Sequence, residues 1–236
     1  MRQIAKNYGI ILAIMMMCSK LFAIAGIGVY GNYDMVSHGG TVANEGDFSI
    51  VANPFDNAYG VGLFLYVDAI PIVDLEVNME FAGNLHDGTF NAPILGEFPG
   101  ELPWARASTY FTIRKKIVGL SVPFLAKANL YAGGGLNKHS VTPTYSMDLL
   151  TGAFPGEGNL TDIFNLLEGD PSAVTTFANH VADNMESYSG LHLQAGCQAK
   201  LLMLSLFANA RYTIAKDVIP DKAGFLSVWL GLGLGI

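Results

Sequence analysis

The sequence predicts an all-β fold: an eight-stranded, antiparallel, up-and-down transmembrane β-barrel carrying a short helical hairpin in its third long loop. Three observations predict it. Apolar and polar residues alternate with a period of two in eight separate segments, the mark of strands with two unlike faces. The eight apolar faces hold 42 positions without a charged residue, where the chain's charged fraction of 14% would place about six. Long and short connections alternate between the segments, as in barrels whose loops gather on one side of a membrane.

The chain has 236 residues, of which 51% are hydrophobic. No apolar run reaches the ~18 residues that a membrane-crossing helix needs. The first 25 residues read as a secretory signal. A cationic opening (Arg2, Lys6) precedes the apolar run 10–18, and Ala23-Ile24-Ala25 fits a small-x-small cleavage site. Residues 26–236 then form the barrel. Removal of the signal leaves 10 Lys+Arg against 20 Asp+Glu, a net charge of −10 that argues against nucleic acid as a partner. Only Cys197 remains, so no internal disulfide is available.

The strands follow in order. In 25–35, Ile27, Val29 and Met35 alternate with Tyr30, Asn32 and Asp34. A loop, 36–59, leads to 60–69, where Val61, Leu63, Leu65 and Val67 oppose Phe64, Tyr66 and Asp68. After a short turn at Ile70-Pro71, where proline's missing donor suits a strand boundary, 71–83 sets Val73, Leu75, Val77, Met79 and Phe81 against Asp74, Glu76, Asn78 and Glu80. The second long loop, 84–105, precedes 106–114, with Phe111 and Ile113 against Arg106, Tyr110 and Arg114. A turn at 115–123 gives way to 124–137, with Leu130 and Leu136 against Lys127, Asn129 and Tyr131. The longest loop is 138–187. The last three strands are 190–200, 205–214 and 224–236. Their inner faces include His192, Gln194, Lys200, Asn209, Arg211 and Trp229.

An eight-stranded barrel is just wide enough for its side chains to fill. Its polar face would hold five acids (Asp34, Asp68, Asp74, Glu76, Glu80) and five bases (Arg106, Arg114, Lys127, Lys200, Arg211). Equal counts predict a salt-bridged plug, since buried charges must be paired; a polar conduit or proton-linked site is the other reading. Pairing Asn84 roughly with Ala105 puts Glu76 near Arg114, and Glu80 one diagonal from Arg106. Asp74, Lys127, His192 and Arg211 complete the expected network. Glu76 and Glu80 share a face as a catalytic acid pair would, but the opposing bases account for them, and no catalytic residue is expected. His38, His86, His139 and His180 fall in expected loops. No cluster has metal-ligand spacing, so neither metal nor cofactor is expected.

In the third long loop, 161–168 predicts a short helix closed by Gly169. Asp170-Pro171 then supplies an N-cap and an N1 proline for a second. Val174, Phe177, Val181 and Met185 recur at helical spacing as its apolar face. This hairpin reads as packed on the barrel rim, or as a lid or apolar entrance for a hydrophobic solute.

The signal, the eight alternating strands and the apolar carboxy-terminal segment 224–236 together resemble small bacterial outer-membrane barrels of the OmpA, OmpX and OmpW type. The usual terminal aromatic is absent, and Ile236 stands in its place. The resemblance implies a place in the outer membrane of a Gram-negative-type envelope, lipid and the barrel-assembly machinery as partners, and a non-enzymatic structural or surface role or the binding of a small solute. A narrow, porin-like channel for small hydrophobic molecules is the alternative it implies; a lipid-modifying barrel enzyme is the third class.

Overall fold

The computed structural model describes residues 25–68, 72–122, 126–157 and 159–235. The expected signal before Ala25, the turn at Ile70-Pro71 and the terminal Ile236 lie outside these residues. Ten antiparallel strands form one sheet: β1 (Ala25–His38), β2 (Thr41–Glu45), β3 (Phe48–Ala52), β4 (Phe55–Val67), β5 (Asp74–Ala92), β6 (Gly96–Val122), β7 (Ala126–Val141), β8 (Glu186–Leu201), β9 (Leu204–Ile214) and β10 (Gly224–Gly235). Eight of them close a ring in the order β1-β4-β5-β6-β7-β8-β9-β10, with β1 pairing to β10. Closure leaves no open edge along the ring, the condition for strands to stand in hydrocarbon. The β2–β3 hairpin hangs from the upper part of β5.

Among the described residues every expected strand parity is observed. Ile27, Val29, Val61, Leu63, Leu65, Met79, Phe81, Phe111, Ile113, Leu130, Leu136, Leu191, Leu193, Leu206, Leu230 and Leu232 all point outward and are exposed, on all eight strands of the ring. Arg106, Arg114 and Arg211 are completely or almost completely buried. The chain is therefore inverted relative to a soluble barrel. Its outside is an unbroken apolar belt, and among the described residues no helix is long and apolar enough to cross a membrane. The strands make the crossing.

Strand lengths differ from expectation at the long-loop end. The segment 84–105 is no loop. β5 and β6 continue in register from Asp74↔Arg114 to Ala92↔Gly96 and rise as a hairpin above the belt. Likewise 36–59 contains β2 and β3, and 115–122 continues β6 past a bulge at Lys116/Val118. Above the belt the outward face meets water instead of lipid, so the alternation loses its contrast there.

Three helices cover the raised sheet: α1 (Met147–Ala153), α2 (Leu160–Gly169) and α3 (Pro171–Asp183). Each begins at a residue whose side chain accepts a backbone N–H, namely Ser146, Asn159 and Asp170. α1 was not expected. Leu150, Ile163, Phe164, Phe177 and Val181 meet Ile50, Phe90 and Leu102 of the sheet in one apolar core. The apolar face of α3 differs from expectation. Ala173, Phe177 and Val181 form it at i, i+4, i+8, whereas Val174, one residue further round, is 49% exposed, and Met185 lies beyond the helix end.

The belt makes a depth-dependent prediction. Leu230, at the centre of the outward row of β10, is 70% exposed, and Leu226 stands at its long-loop end. Leu230→Arg is expected to destabilise the barrel by about 2–4 kcal/mol and Leu226→Arg by at most ~1 kcal/mol. Reversible urea unfolding in phospholipid vesicles measures both, and equal costs would sink the assignment of the belt to lipid.

Candidate functional site

The lumen is filled at three levels. Nearest the short turns, Tyr30, Phe64, Tyr66, Tyr131, Phe207 and Trp229 form an aromatic layer. Glycines on the inner faces make it possible. A Cβ on Gly28 would lie 2.3 Å from Cζ of Phe64, and one on Gly62 2.3 Å from Cζ of Tyr30. At the long-loop end Val36, Phe55, Trp104, Val141, Val218, Ile219 and Phe225 close the mouth.

Between and beside these layers runs a continuous chain of charged groups. Arg106 donates to Asp34 at 2.5 Å and to Glu80 at 2.8 Å. Glu80 also accepts from Tyr30 Oη at 2.8 Å and from Arg211 at 3.3 Å. Arg211 Nε donates to Gln194 at 3.0 Å, and Gln194 donates to Glu76 at 3.0 Å. Arg114 holds Glu76 at 2.8 Å and Asp68 at 2.5 Å, and Gln198 donates to Asp68 at 3.1 Å. The guanidinium carbons lie over rings as well: Arg211 is 3.8 Å from the centroid of Tyr110, Arg114 4.5 Å from Tyr131 and Arg106 4.9 Å from Phe225. A cation between carboxylates and aromatic faces, out of water, is held by both. The chain joins opposite walls of the barrel and fixes the lumen side chains.

Glu76, Glu80, Arg106, Arg114, Arg211 and His192 are thus brought together. His192 Nε2 lies 2.9 Å from Thr112 Oγ1, with its ring edge-on to Tyr110. Two expected members stand apart. Asp74 is the cross-strand partner of Arg114, yet the guanidinium reaches one diagonal to Glu76, which sits opposite Thr112. Asp74 and Lys127 are only half-buried at the short-turn rim and form no ion pair among the described residues. Three histidines were misplaced: His38 ends β1, His86 is buried on β5, and His139 lies not in a loop but fully buried on β7, its Nδ1 2.8 Å from Ser108 Oγ. The parity of His139 continues the inner face past Asn137 and would have found it.

The second feature is a groove of about 610 Å³ above the belt, between upper β6 and α3. Phe90, Phe98, Leu102, Leu167, Val174, Phe177 and Val181 line it. It follows the free edge of β6. Ala105 exchanges bonds with Thr142 across that edge, and Tyr145 Oη donates to Pro103 O at 2.7 Å. Odd residues of β6 therefore face the edge, and Pro99 and Pro103 leave it short of donors, which blocks the addition of another strand. A larger concave volume of about 1340 Å³ touches outward Val61 and Leu63 together with inward Tyr30 and Glu80, on both faces of the wall. Among the described residues no group of three or more His, Cys, Asp or Glu is placed to hold a metal ion.

Above the belt, Phe55 is sandwiched by two imidazoles, His38 at 5.0 Å and His86 at 4.7 Å between ring centroids. Burial holds both histidines below their usual range, with His38 adding to the effect on His86.

No family model matches the sequence, and no curated protein matches it. Solved structures similar to it are small outer-membrane barrels. The outer membrane protein OprG from Pseudomonas aeruginosa aligns over 91% of this chain and 96% of its own, at 11% identity and a TM-score of 0.48. The attachment invasion locus protein Ail of Yersinia pestis aligns over 91% and 99%, at 11% identity and 0.40. Neisserial surface protein A aligns over 90% and 96%, at 10% identity and 0.41.

Two outcomes are expected. Arg106→Met leaves Asp34 buried without its ion-pair partner, and Glu80 with Arg211 as its one remaining cation, and should cost about 3–5 kcal/mol, whereas Lys127→Met at the rim should stay within ~0.5 kcal/mol; urea unfolding in vesicles compares them. A histidine held below its unfolded value contributes stability that is fully present above about pH 6.5 and is lost as pH falls from there towards its lower folded value. Amide protection factors around Phe55, corrected for the intrinsic slowing of exchange by acid, should therefore fall on acidification below about pH 6.5, and a His38→Phe/His86→Phe chain should not show the change.

Proposed function

We propose that the chain is an outer-membrane surface protein, exported by a secretory signal within residues 1–25 and inserted by the barrel-assembly machinery, that captures a small apolar solute above the membrane without conducting or transforming it. One contrast carries this reading: the lumen is closed by the aromatic layer, the ion-pair chain and the outer apolar cluster, while the groove beside α3 stays open.

The chemistry of the groove supports it. Apolar walls with aromatic rings from Phe90, Phe98 and Phe177 release water when a solute enters. Tyr145 supplies a hydroxyl at its border, already committed to Pro103. The proline-blunted edge turns away extended peptides and leaves small molecules as the occupants that fit. The barrel supplies the anchor, and the buried charges supply rigidity, a structural role with no call on catalysis.

The test uses the full chain in lipid nanodiscs with the neutral fluorophore N-phenylnaphthylamine, corrected for empty nanodiscs. Saturable binding is expected, and Val174→Asp, at an exposed wall position that leaves the helix core intact, should weaken it by about tenfold or more. Binding equal in wild type and variant would refute the groove. Planar-bilayer recordings are expected to show no steady conductance; a steady current altered by deleting 161–185 would replace this reading with the narrow channel.

A further inference from the structure

The groove beside α3 has a one-sided electrostatic setting. Its walls are apolar, and its charged lining residues are Glu101 on β6 and Glu168 near the end of α2. Both carboxylates are exposed, and neither forms an ion pair among the described residues. Glu101 also stands directly opposite Asp87 across the β5–β6 ladder, and Asp87 is exposed too. Like charges placed opposite one another are unfavourable in a sheet, and a cation beside them relieves the repulsion.

The lysines of the long-loop end stand elsewhere. The segments 84–105 and 142–185, which build the groove, contain nine acidic residues and no lysine or arginine. Lys138 sits on β7 opposite Thr109, within the ring. Lys216 and Lys222 lie in the loop from β9 to β10, across the ring from β6. The imidazoles of His86 and His180 are outside the lining of the groove.

We propose that the groove selects organic cations, solutes with an apolar or aromatic body and an ammonium group. This rests on the reading of the groove as a solute site and adds what the solute carries. The body lies against the apolar walls, where its burial releases water. The ammonium stays at the lip beside Glu101 and Glu168, still partly hydrated, so no charge is buried without a partner. The half-buried ring of Phe98 adds to the attraction, because an aromatic face favours a cation. An anion with the same body meets repulsion at the lip, and a neutral solute gains only the apolar contact. An inorganic cation lacks the body that the walls would cover.

The test uses the full chain in phosphatidylcholine nanodiscs at low salt, corrected for empty nanodiscs. Bound N-phenylnaphthylamine is displaced by three solutes that share one ring system: naphthylmethylammonium, naphthylmethanol and naphthylacetate. The cation should act at about fivefold lower concentration than the alcohol, the upper range for an exposed charge pair, and the anion should need more than the alcohol. Added salt should narrow these differences. Glu101→Gln/Glu168→Gln should bring the cation to the level of the alcohol. Glu45→Gln/Asp47→Gln, at the tip of the β2–β3 hairpin on the far side of β5, should leave the ratio as in wild type. Equal displacement by all three solutes, or equal loss from the control variant, would overturn the cation preference and leave the groove standing. A fluorophore that fails to bind at all would remove the groove and this proposal with it.

Discussion

Three arginines buried inside a cylinder whose outside is hydrocarbon set the terms for the rest of the molecule. No water lies on the outer side of the wall, so each charge must find its partner within the ring. Arg106, Arg114 and Arg211 do so with Asp34, Glu80, Glu76 and Asp68, and each also rests on an aromatic face. Removing a single partner would leave an uncompensated charge where none can be solvated. The network is consequently a set of cross-braces between strands that are far apart in sequence, and the plug follows from it.

Above the closed barrel the sheet continues. β5 and β6 keep their register past the membrane and become a platform, to which β3 and β2 add an extension. The three capped helices bury one side of that platform. The geometry leaves the edge of β6 uncovered beside α3, and the prolines that keep this edge from recruiting another strand also keep it open. The groove is therefore a consequence of managing an exposed edge, and its apolar lining comes from the same residues that dock the helices.

The charge distribution gives the barrel a direction across the membrane. Acids crowd the long-loop end and lysines the short-turn end, with the belt between. The neutralised core contributes little to this polarity, because its carboxylates and guanidiniums are matched within a few ångströms. The field felt by lipids and solutes at either end arises from the rims.

The fold was legible in the residues because the membrane imposes a simple rule. A period of two with one face free of charge, repeated eight times, admits few structures other than a closed barrel, and residues such as Leu63, Leu193 and Glu80 fell on the expected side of the wall. Within the lumen the types of charge were legible, and Glu76 with Arg114 could be matched through the register of neighbouring strands. The span of Arg106 to Asp34, the reach of Arg211 to Glu80 and the burial of His139 depended on which walls face each other across the ring, and a linear pattern does not encode that. Above the belt the rule lapses, because water wets residues of either kind. The length of β5 and β6, the added helix α1, the exposure of Val174 and the groove itself were decided by three-dimensional packing. The sequence by itself determined which face of each strand meets lipid; only the tertiary structure decided which charges meet each other and what the loops enclose, because those contacts join residues that share no local period.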